Sequence, residues 1–270
     1  MSAITVSLCV STYNSPQALR LCLESVLLQT KMPDEILIGD DGSTAETKNL
    51  IESYKVRFNV PLIHVWQPDE GYRLAAARNN CFRIASGSYI IQIDGDLILE
   101  KRFIQDHVRF AQPNTFLCGS RSFITEQATA HLYQQNVLNW DFMKRRLIKS
   151  HNAFRFFPLA AIVYFFQRGL KQTRYVVGAN MSFWKKDIML VNGYNEDFTG
   201  WGKEDNDLAV RLFYAGVKIR FLKHAGIAYH LHHNDVSTSN LESNEQLLKN
   251  AEALKRFFVE NGIKKVTNLQ

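Results

Sequence analysis

Residues Thr5–Ser43 read TVSLCVSTYNSPQALRLCLESVLLQTKMPDEILIGDDGS and alternate between two patterns. Thr5–Ser11 is short, apolar and β-branched, which predicts a buried strand. Ser15 and Pro16 then read as an N-cap and a first helical turn, and Leu19, Cys22, Leu23, Val26 and Leu27 recur at helical spacing. A second apolar strand ends at Asp40-Asp41-Gly42-Ser43. The alternation continues with a polar helix over about 45–58, a strand in PLIHVWQ, a helix in YRLAAARNNCFRIAS closed by Gly87, and a strand in YIIQID. Short, nearly all-apolar strands separated by helices predict an α/β fold: a mainly parallel central sheet flanked by helices, Rossmann-like.

Ligands of such sheets gather beyond the carboxyl ends of the strands. Thr12-Tyr13-Asn14, Asp40-Asp41 and Asp94-Gly95-Asp96 all fall at that edge, which predicts one shared polar site. In YIIQIDGDLILE, Tyr89–Glu100, two carboxylates end a core strand. Burying either charge alone would cost several kcal/mol, so a cation is expected to meet them. Asp94 and Asp96 could share Mg²⁺ or Mn²⁺ with phosphate oxygens, although an Asx-turn also accounts for such a triplet. Ile98 and Leu99 exclude an EF-hand, and the chain has neither a P-loop nor a GxGxxG. Asp41 could accept from a nucleobase or ribose, or cap the next helix. Arg78 could bind a diphosphate or form a salt bridge.

GWGKEDNDL, residues 200–208, sets Trp201 between glycines and opens an amphipathic helix at Glu204-Asp205. First-turn acids suit the helix dipole. A ring beside carboxylates also suits a sugar, with one carboxylate as general base on a hydroxyl. In YHLHH, His230 and His232 share a strand face, and His230, His232 or His233 could complete a divalent site.

At 270 residues, 46% apolar and 21% charged, the chain suits one globular domain. Its net charge of +6 fits anionic ligands or a membrane surface; no nucleic-acid partner is expected. Four dispersed cysteines, Cys9, Cys22, Cys81 and Cys118, predict free buried thiols and a reducing, cytoplasmic setting. No basic n-region precedes the first strand and no apolar run spans a bilayer, so neither a signal peptide nor a transmembrane helix is expected. Within Leu138–Arg174 the character changes to FRFFPLAAIVYFFQRG, flanked by Lys144, Arg145, Arg146, Lys149, Arg168, Lys171 and Arg174, with no acid between Met143 and Lys186. Two readings stand: a packed helical insertion, or an interfacial helix on anionic lipid at the inner face of the cytoplasmic membrane.

VSTYNSPQALRLCLESVLLQT, IGDDGST, GYRLAAARNNCFRIASGSYIIQIDGD and VVGANMSFWKKDIMLVNGYNEDFTGWGKEDNDLAVRL resemble, in order, family 2 glycosyltransferases of the GT-A fold. The last block is similar to the galactosyltransferase-type C-terminal module of chondroitin-polymerase-like bacterial enzymes. The resemblance covers about Thr5–Ile104 and Tyr175–His233. It implies a single GT-A domain over 1–270: a nucleotide-binding half (about 1–115), a basic aromatic insertion (138–174), an acceptor and catalytic half (175–235) and a terminal helix (241–261). It further implies an inverting, metal-dependent transferase moving a sugar from a nucleotide-sugar, most often a UDP-sugar, to a glycan or glycolipid hydroxyl in surface polysaccharide synthesis. By motif, Thr12, Tyr13 and Asp41 would hold the base. Arg78 would lie near the base or diphosphate, and Asp94 near ribose and metal. Asp96 and His230 would ligate Mn²⁺ or Mg²⁺, with His232 and His233 as competing ligands. Asp205 would act as base, with Glu204, Trp201 and Asn180 on the sugar and acceptor side. Two alternatives are a sugar-nucleotide nucleotidyltransferase, disfavoured by the glycine-free STYNSPQALR loop, and a carbohydrate-binding protein on an inactive scaffold, disfavoured by the intact acids.

Overall fold

The computed structural model describes residues 3–135, 138, 154–166, 173–233 and 239–265, the side chain of Arg174 aside. Strands β1 (Val6–Thr12), β2 (Glu35–Asp40), β3 (Leu62–Trp66) and β4 (Tyr89–Asp94) alternate with helices α1 (Pro16–Leu27), α2 (Ala45–Lys55) and α3 (Leu74–Ile84). The second half holds β5 (Leu97–Leu99), α4 (Phe103–Phe110), β6 (Thr115–Gly119), β7 (Arg121–Phe123) and α5 (Glu126–Gln135). These are followed by α6 (Phe157–Phe166), β8 (Asn180–Trp184), α7 (Lys185–Leu190), α8 (Glu204–Tyr214), β9 (Lys218–Leu222), β10 (Ala228–His230) and α9 (Leu241–Leu254).

The main sheet has seven strands in the order β3-β2-β1-β4-β8-β6-β9. Strands β3, β2, β1 and β4 run parallel, as does β9 beside β6, and β8 runs antiparallel to both its neighbours. Every residue of β1 and β2 is buried, which is why these strands are mainly apolar on both faces, with Ser7 and Glu35 hydrogen-bonded to each other at 2.6 Å. Cores lie on both faces of the sheet: Leu8, Leu19, Leu23, Ile38 and Ile91 meet on one side, and Cys9, Leu37, Phe82, Met181 and Leu212 on the other. The four cysteines are free and buried.

A second sheet, β5-β10-β7, sets the site. The apolar run after Asp96 is not a continuation of β4 but β5, which pairs antiparallel with β10 and brings His230 opposite Leu97. The stretch VKIRFLKHAGIAYHLHHN, strand-like throughout by pattern, divides into β9 and β10 in different sheets. Gly95 is required at the crossover, because a Cβ there would stand 2.9 Å from the Ser11 carbonyl, to which the Gly95 N–H donates at 2.7 Å.

Helix α1 has Ser15 at the N-cap position and Pro16 in its first turn, as expected, but the Ser15 side chain makes no capping hydrogen bond. Gly87 does not close α3; the cap is Ala85 in an extended conformation. Gly87 is small for another reason, since a Cβ would meet the Ser7 N–H and Oγ at 2.6 Å. The tail helix ends at Leu254, with Lys255 in the left-handed region, short of residue 261. No described helix is long and apolar enough to cross a membrane.

Of the aromatic insertion, the structure describes 154–166. Lys144, Arg145, Arg146, Lys149, Arg168 and Lys171, and the side chain of Arg174, lie outside the described residues. Arg155 ties the segment down through two hydrogen bonds to Asp106 at 2.8 and 2.6 Å. In α6, Ala160 and Tyr164 pack on Phe110, Leu117 and Leu222, and the Tyr164 hydroxyl donates to the Phe110 carbonyl at 3.0 Å. Leu159, Ile162, Phe165 and Phe166 are exposed, as are Phe154 and Phe156 before the helix. The segment is thus packed on one side and apolar on the other.

Candidate active site

The two carboxylates of Asp94-Gly95-Asp96 part company. Strand β4 ends with Asp94 facing a buried hub, whereas the turn into β5 carries Asp96 to the second sheet. The hub is Arg78, 2% exposed on α3. Its Nη2 donates to Asp94 at 3.0 Å, and its Nη1 to Asp205 at 2.7 Å, with a Glu204 oxygen 3.7 Å away. Burial disfavours the guanidinium charge, but Asp205, Asp94 and Glu204 outweigh it and hold the pKa well above the ordinary value. Arg78 is therefore the cation that meets Asp94. Its charge is already matched by carboxylates, so it does not stand free for a diphosphate as its motif implies.

Asp205 accepts three hydrogen bonds: from Arg78, from the Tyr194 hydroxyl at 2.8 Å and, at its other oxygen, from the Gly178 N–H at 3.0 Å. A Cβ on Gly178 would overlap the Asp205 carboxylate, so glycine is needed for this approach. The Tyr194 hydroxyl also accepts from the Gln92 amide at 2.8 Å. Glu204 is the contrasting neighbour. Burial first, then repulsion from Asp205, pushes its carboxyl up to about 8, only partly offset by Arg78. Adjacent acids on one helix turn therefore sit in different environments, one held by three donors and one desolvated with a buried oxygen lacking any hydrogen bond.

Asp96 joins His230 and His233, whose Nε2 atoms lie 3.4 and 3.3 Å from its Oδ2. Burial raises the Asp96 carboxyl, but the two imidazoles outweigh it and hold it below the usual range. Among the described residues these three form a set whose ligand atoms lie within 4.8 Å of one another. Asp96 Oδ1 and His230 Nδ1 are buried without hydrogen bonds, so the cluster retains unused acceptor capacity suited to a cation. His233 rather than His232 completes it. Asp94 is not in this set; its Oδ1 accepts from Arg78.

A cleft at the Arg78 hub has a volume of about 310 Å³ and is lined by Tyr72, Arg121, Trp201 and Asn206 as well as Arg78, Asp94, Glu204 and Asp205; Asp96, His230 and His233 are not among its lining residues. Trp201 is 43% exposed between Gly200 (φ +70°) and Gly202 (φ +107°). The loop is held in place, because Asn244 on α9 donates to the carbonyls of Thr199 and Gly202 at 3.1 and 2.9 Å.

Thr12, Tyr13 and Asp41 gather at the adjoining strand ends. Asp41 is buried, accepting from Gln67 at 2.6 Å and from the Arg73 N–H at 2.7 Å, while the Tyr13 hydroxyl donates to Asp69 at 2.9 Å. Neither Asp40 nor Asp41 caps α2, whose N-cap position is Thr44; Asp40 closes the turn before it by accepting from the Ser43 N–H at 2.8 Å. Asn180 does not line the cleft. It is fully buried at the start of β8, and its amide donates to the Ser120 and Gly226 carbonyls at 3.0 Å each.

Tyr194, Gln92, Gly178 and Arg121 complete the site and were not among the residues expected from sequence. Gln92 had a legible signal, since a lone amide inside an all-apolar strand must find partners.

The family model described as glycosyl transferase family 2 matches residues 7–172, more than half of the chain. The chain belongs to that family. A further model, described as the N-terminal domain of galactosyltransferase, matches residues 158–234 of this glycosyltransferase. Chondroitin synthase of Escherichia coli is 26% identical over 243 residues, covering 83% of this chain and 34% of the relative. Validoxylamine A glucosyltransferase of Streptomyces hygroscopicus subsp. limoneus is 27% identical over 224 residues, covering 78% and 48%. The chain thus spans between a third and a half of the length of these relatives. Among solved structures, S. aureus TarS 1-349 in complex with UDP superposes with a TM-score of 0.64 at 17% identity, covering 95% of this chain and 68% of that one. The same protein is also known in complex with UDP-GlcNAc. That likeness establishes the GT-A fold.

Proposed function

We propose that the protein is a metal-dependent, inverting transferase that moves a sugar from a UDP-sugar to a hydroxyl of a glycan or glycolipid acceptor in surface polysaccharide synthesis. The observation that carries this reading is a cleft lined by the three-donor carboxylate Asp205 and by Asp94, with the Asp96–His230–His233 cluster beginning two residues beyond Asp94 in the chain. Similarity to a fold seen with UDP and UDP-GlcNAc supports the donor class. In this reading Thr12, Tyr13 and Asp41 receive the base, and Trp201 offers its ring to the sugar or acceptor.

The acceptor hydroxyl attacks the anomeric carbon as the bond to the donor phosphate oxygen breaks, with the nucleoside diphosphate leaving from the opposite face. Asp205 takes the hydroxyl proton. Arg78 and Tyr194 fix its Oδ1, and its Oδ2, which among the described residues accepts only the Gly178 N–H, keeps a lone pair for that transfer. Glu204, largely protonated near neutral pH, can donate a hydrogen bond to the acceptor rather than compete as base. Asp96, His230 and His233 would hold the ion, and a donor set with two imidazoles favours Mn²⁺ over Mg²⁺. When bound, such an ion offsets the charge that develops on the leaving diphosphate.

An acceptor linked to lipid fits the exposed aromatic face of α6. Arg109 stacks 3.8 Å over Phe157 at its base, and the chain from Met143 to Lys186 carries no acid, which suits anionic headgroups. Sedimentation with phosphatidylglycerol vesicles, weakening as salt is raised, is the expected result; no binding at low salt would leave α6 as packing alone.

Titration with UDP and Mn²⁺ followed by donor hydrolysis tests the activity. Turnover of a nucleotide-sugar is expected. Binding without turnover would indicate a binding module, and a requirement for a nucleoside triphosphate a nucleotidyltransferase.

A further inference from the structure

Three described cations line the cleft: Arg78, Lys203 and Arg121. Two are matched within the protein. Arg78 is paired with Asp94 and Asp205, and Lys203 with Glu245 at 2.9 Å. Arg121, half-buried, makes no hydrogen bond or ion pair with any described residue; its one contact of this kind is with the ring of Phe123, 5.4 Å away.

The fold accounts for its location. Strand β7 pairs parallel with β10, matching Arg121 to Ala228 and Phe123 to His230. Arg121 and Phe123 share a face of β7, and Phe123 packs on the His230 ring at 5.2 Å. The strand that buttresses the candidate metal cluster thus also delivers a guanidinium to the cleft wall. Arg121 acts electrostatically on Asp94, Asp96 and His230, lowering the pKa of each, yet contacts none of them. A half-buried guanidinium that has no hydrogen-bonded anion among the described residues loses hydration with only the longer-range attraction of Asp94 and Asp96 to offset it. Its planar fork matches two oxygens of a phosphate.

We infer that Arg121, and not Arg78, binds the diphosphate of the nucleotide donor. The inference rests on the donor proposed above. It assigns to a single side chain the preference for a nucleoside diphosphate over the nucleoside.

The test is calorimetric titration of the wild-type protein, Arg121→Gln and Arg121→Lys with UDP and with uridine, with and without Mn²⁺. Charge-assisted contacts of this kind predict a loss of about 10- to 100-fold in UDP affinity for Arg121→Gln. Uridine affinity is expected to stay unchanged, with partial recovery in Arg121→Lys. Matching thermal melts confirm that the variants fold. If the wild type binds UDP and Arg121→Gln keeps the same ratio of UDP to uridine affinity, the role of Arg121 is overturned and the donor reading stands. If the wild type binds no UDP, the donor reading falls and the inference falls with it.

Discussion

Asp94 and Asp96 are two residues apart, yet they belong to regions built on opposite principles. Around Asp94 the protein supplies its own cation: Arg78 is fully enclosed and bonded to carboxylates from β4 and α8. Around Asp96 it supplies two imidazoles and leaves Asp96 Oδ1 and His230 Nδ1 without partners. In the first region the buried charge is matched by carboxylates, although Arg78 Nε and Glu204 Oε2 are themselves buried without hydrogen bonds. The second is left incomplete by the protein alone. Matched polar groups build architecture, and unmatched ones mark the place for a ligand.

The comparison can be broken most severely at Arg78. Arg78→Ala strands Asp94, Glu204 and Asp205 beside one another, and loss of one partner of a buried pair costs about 3–5 kcal/mol. A fall in Tm on the order of 10 °C is expected for a chain of this size, whereas Asp96→Ala, which removes no buried cation's partner, is expected to melt within a few degrees of wild type. Equal melts for the two variants would erase the distinction. Asp205→Asn is expected to leave UDP binding nearly intact while transfer falls about 10²–10⁴-fold, the ordinary contribution of a general base. Near-normal turnover would remove Asp205 from that role.

Smaller effects sharpen the same contrast. Gly178→Ala pushes a methyl into the Asp205 carboxylate, and a displacement of about 1 Å can cost up to about 10²-fold in rate. Steady-state kinetics should show kcat falling with KM for the donor unchanged. Glu204 offers the mildest test. Its raised pKa means folding favours the neutral carboxyl. That contribution is fully present below the ordinary value of 4.5 and is lost as pH rises through about 8. Glu204→Gln should therefore match wild type near pH 5 and melt a few degrees higher near pH 9; parallel pH profiles would contradict the assignment.

Strands β1, β2 and β4 were legible because each is buried on both faces and has no polar side to confuse the pattern. The positions of the acids were legible too, since a carboxylate ending an apolar run must meet a cation, a donor or water. Their partners were not. Arg78 is 16 residues from Asp94 and 127 from Asp205, and only the packing of α3 under the sheet brings all three together. Asn180 misled because it lies beside cleft-lining Ala179 in sequence while its side chain turns into the sheet interior to satisfy two carbonyls. Arg121 gave no signal: an arginine opening a three-residue strand looks like any surface cation until the strand is seen beside β10.

The most direct measurement is UDP affinity by calorimetry with and without Mn²⁺, for wild type and Asp96→Ala. Wild type should bind UDP more tightly with Mn²⁺, and Asp96→Ala should bind with the metal-free affinity in both conditions. An Asp96→Ala protein that keeps the full Mn²⁺ enhancement would contradict the claim that Asp96, His230 and His233 form the metal centre of the donor site.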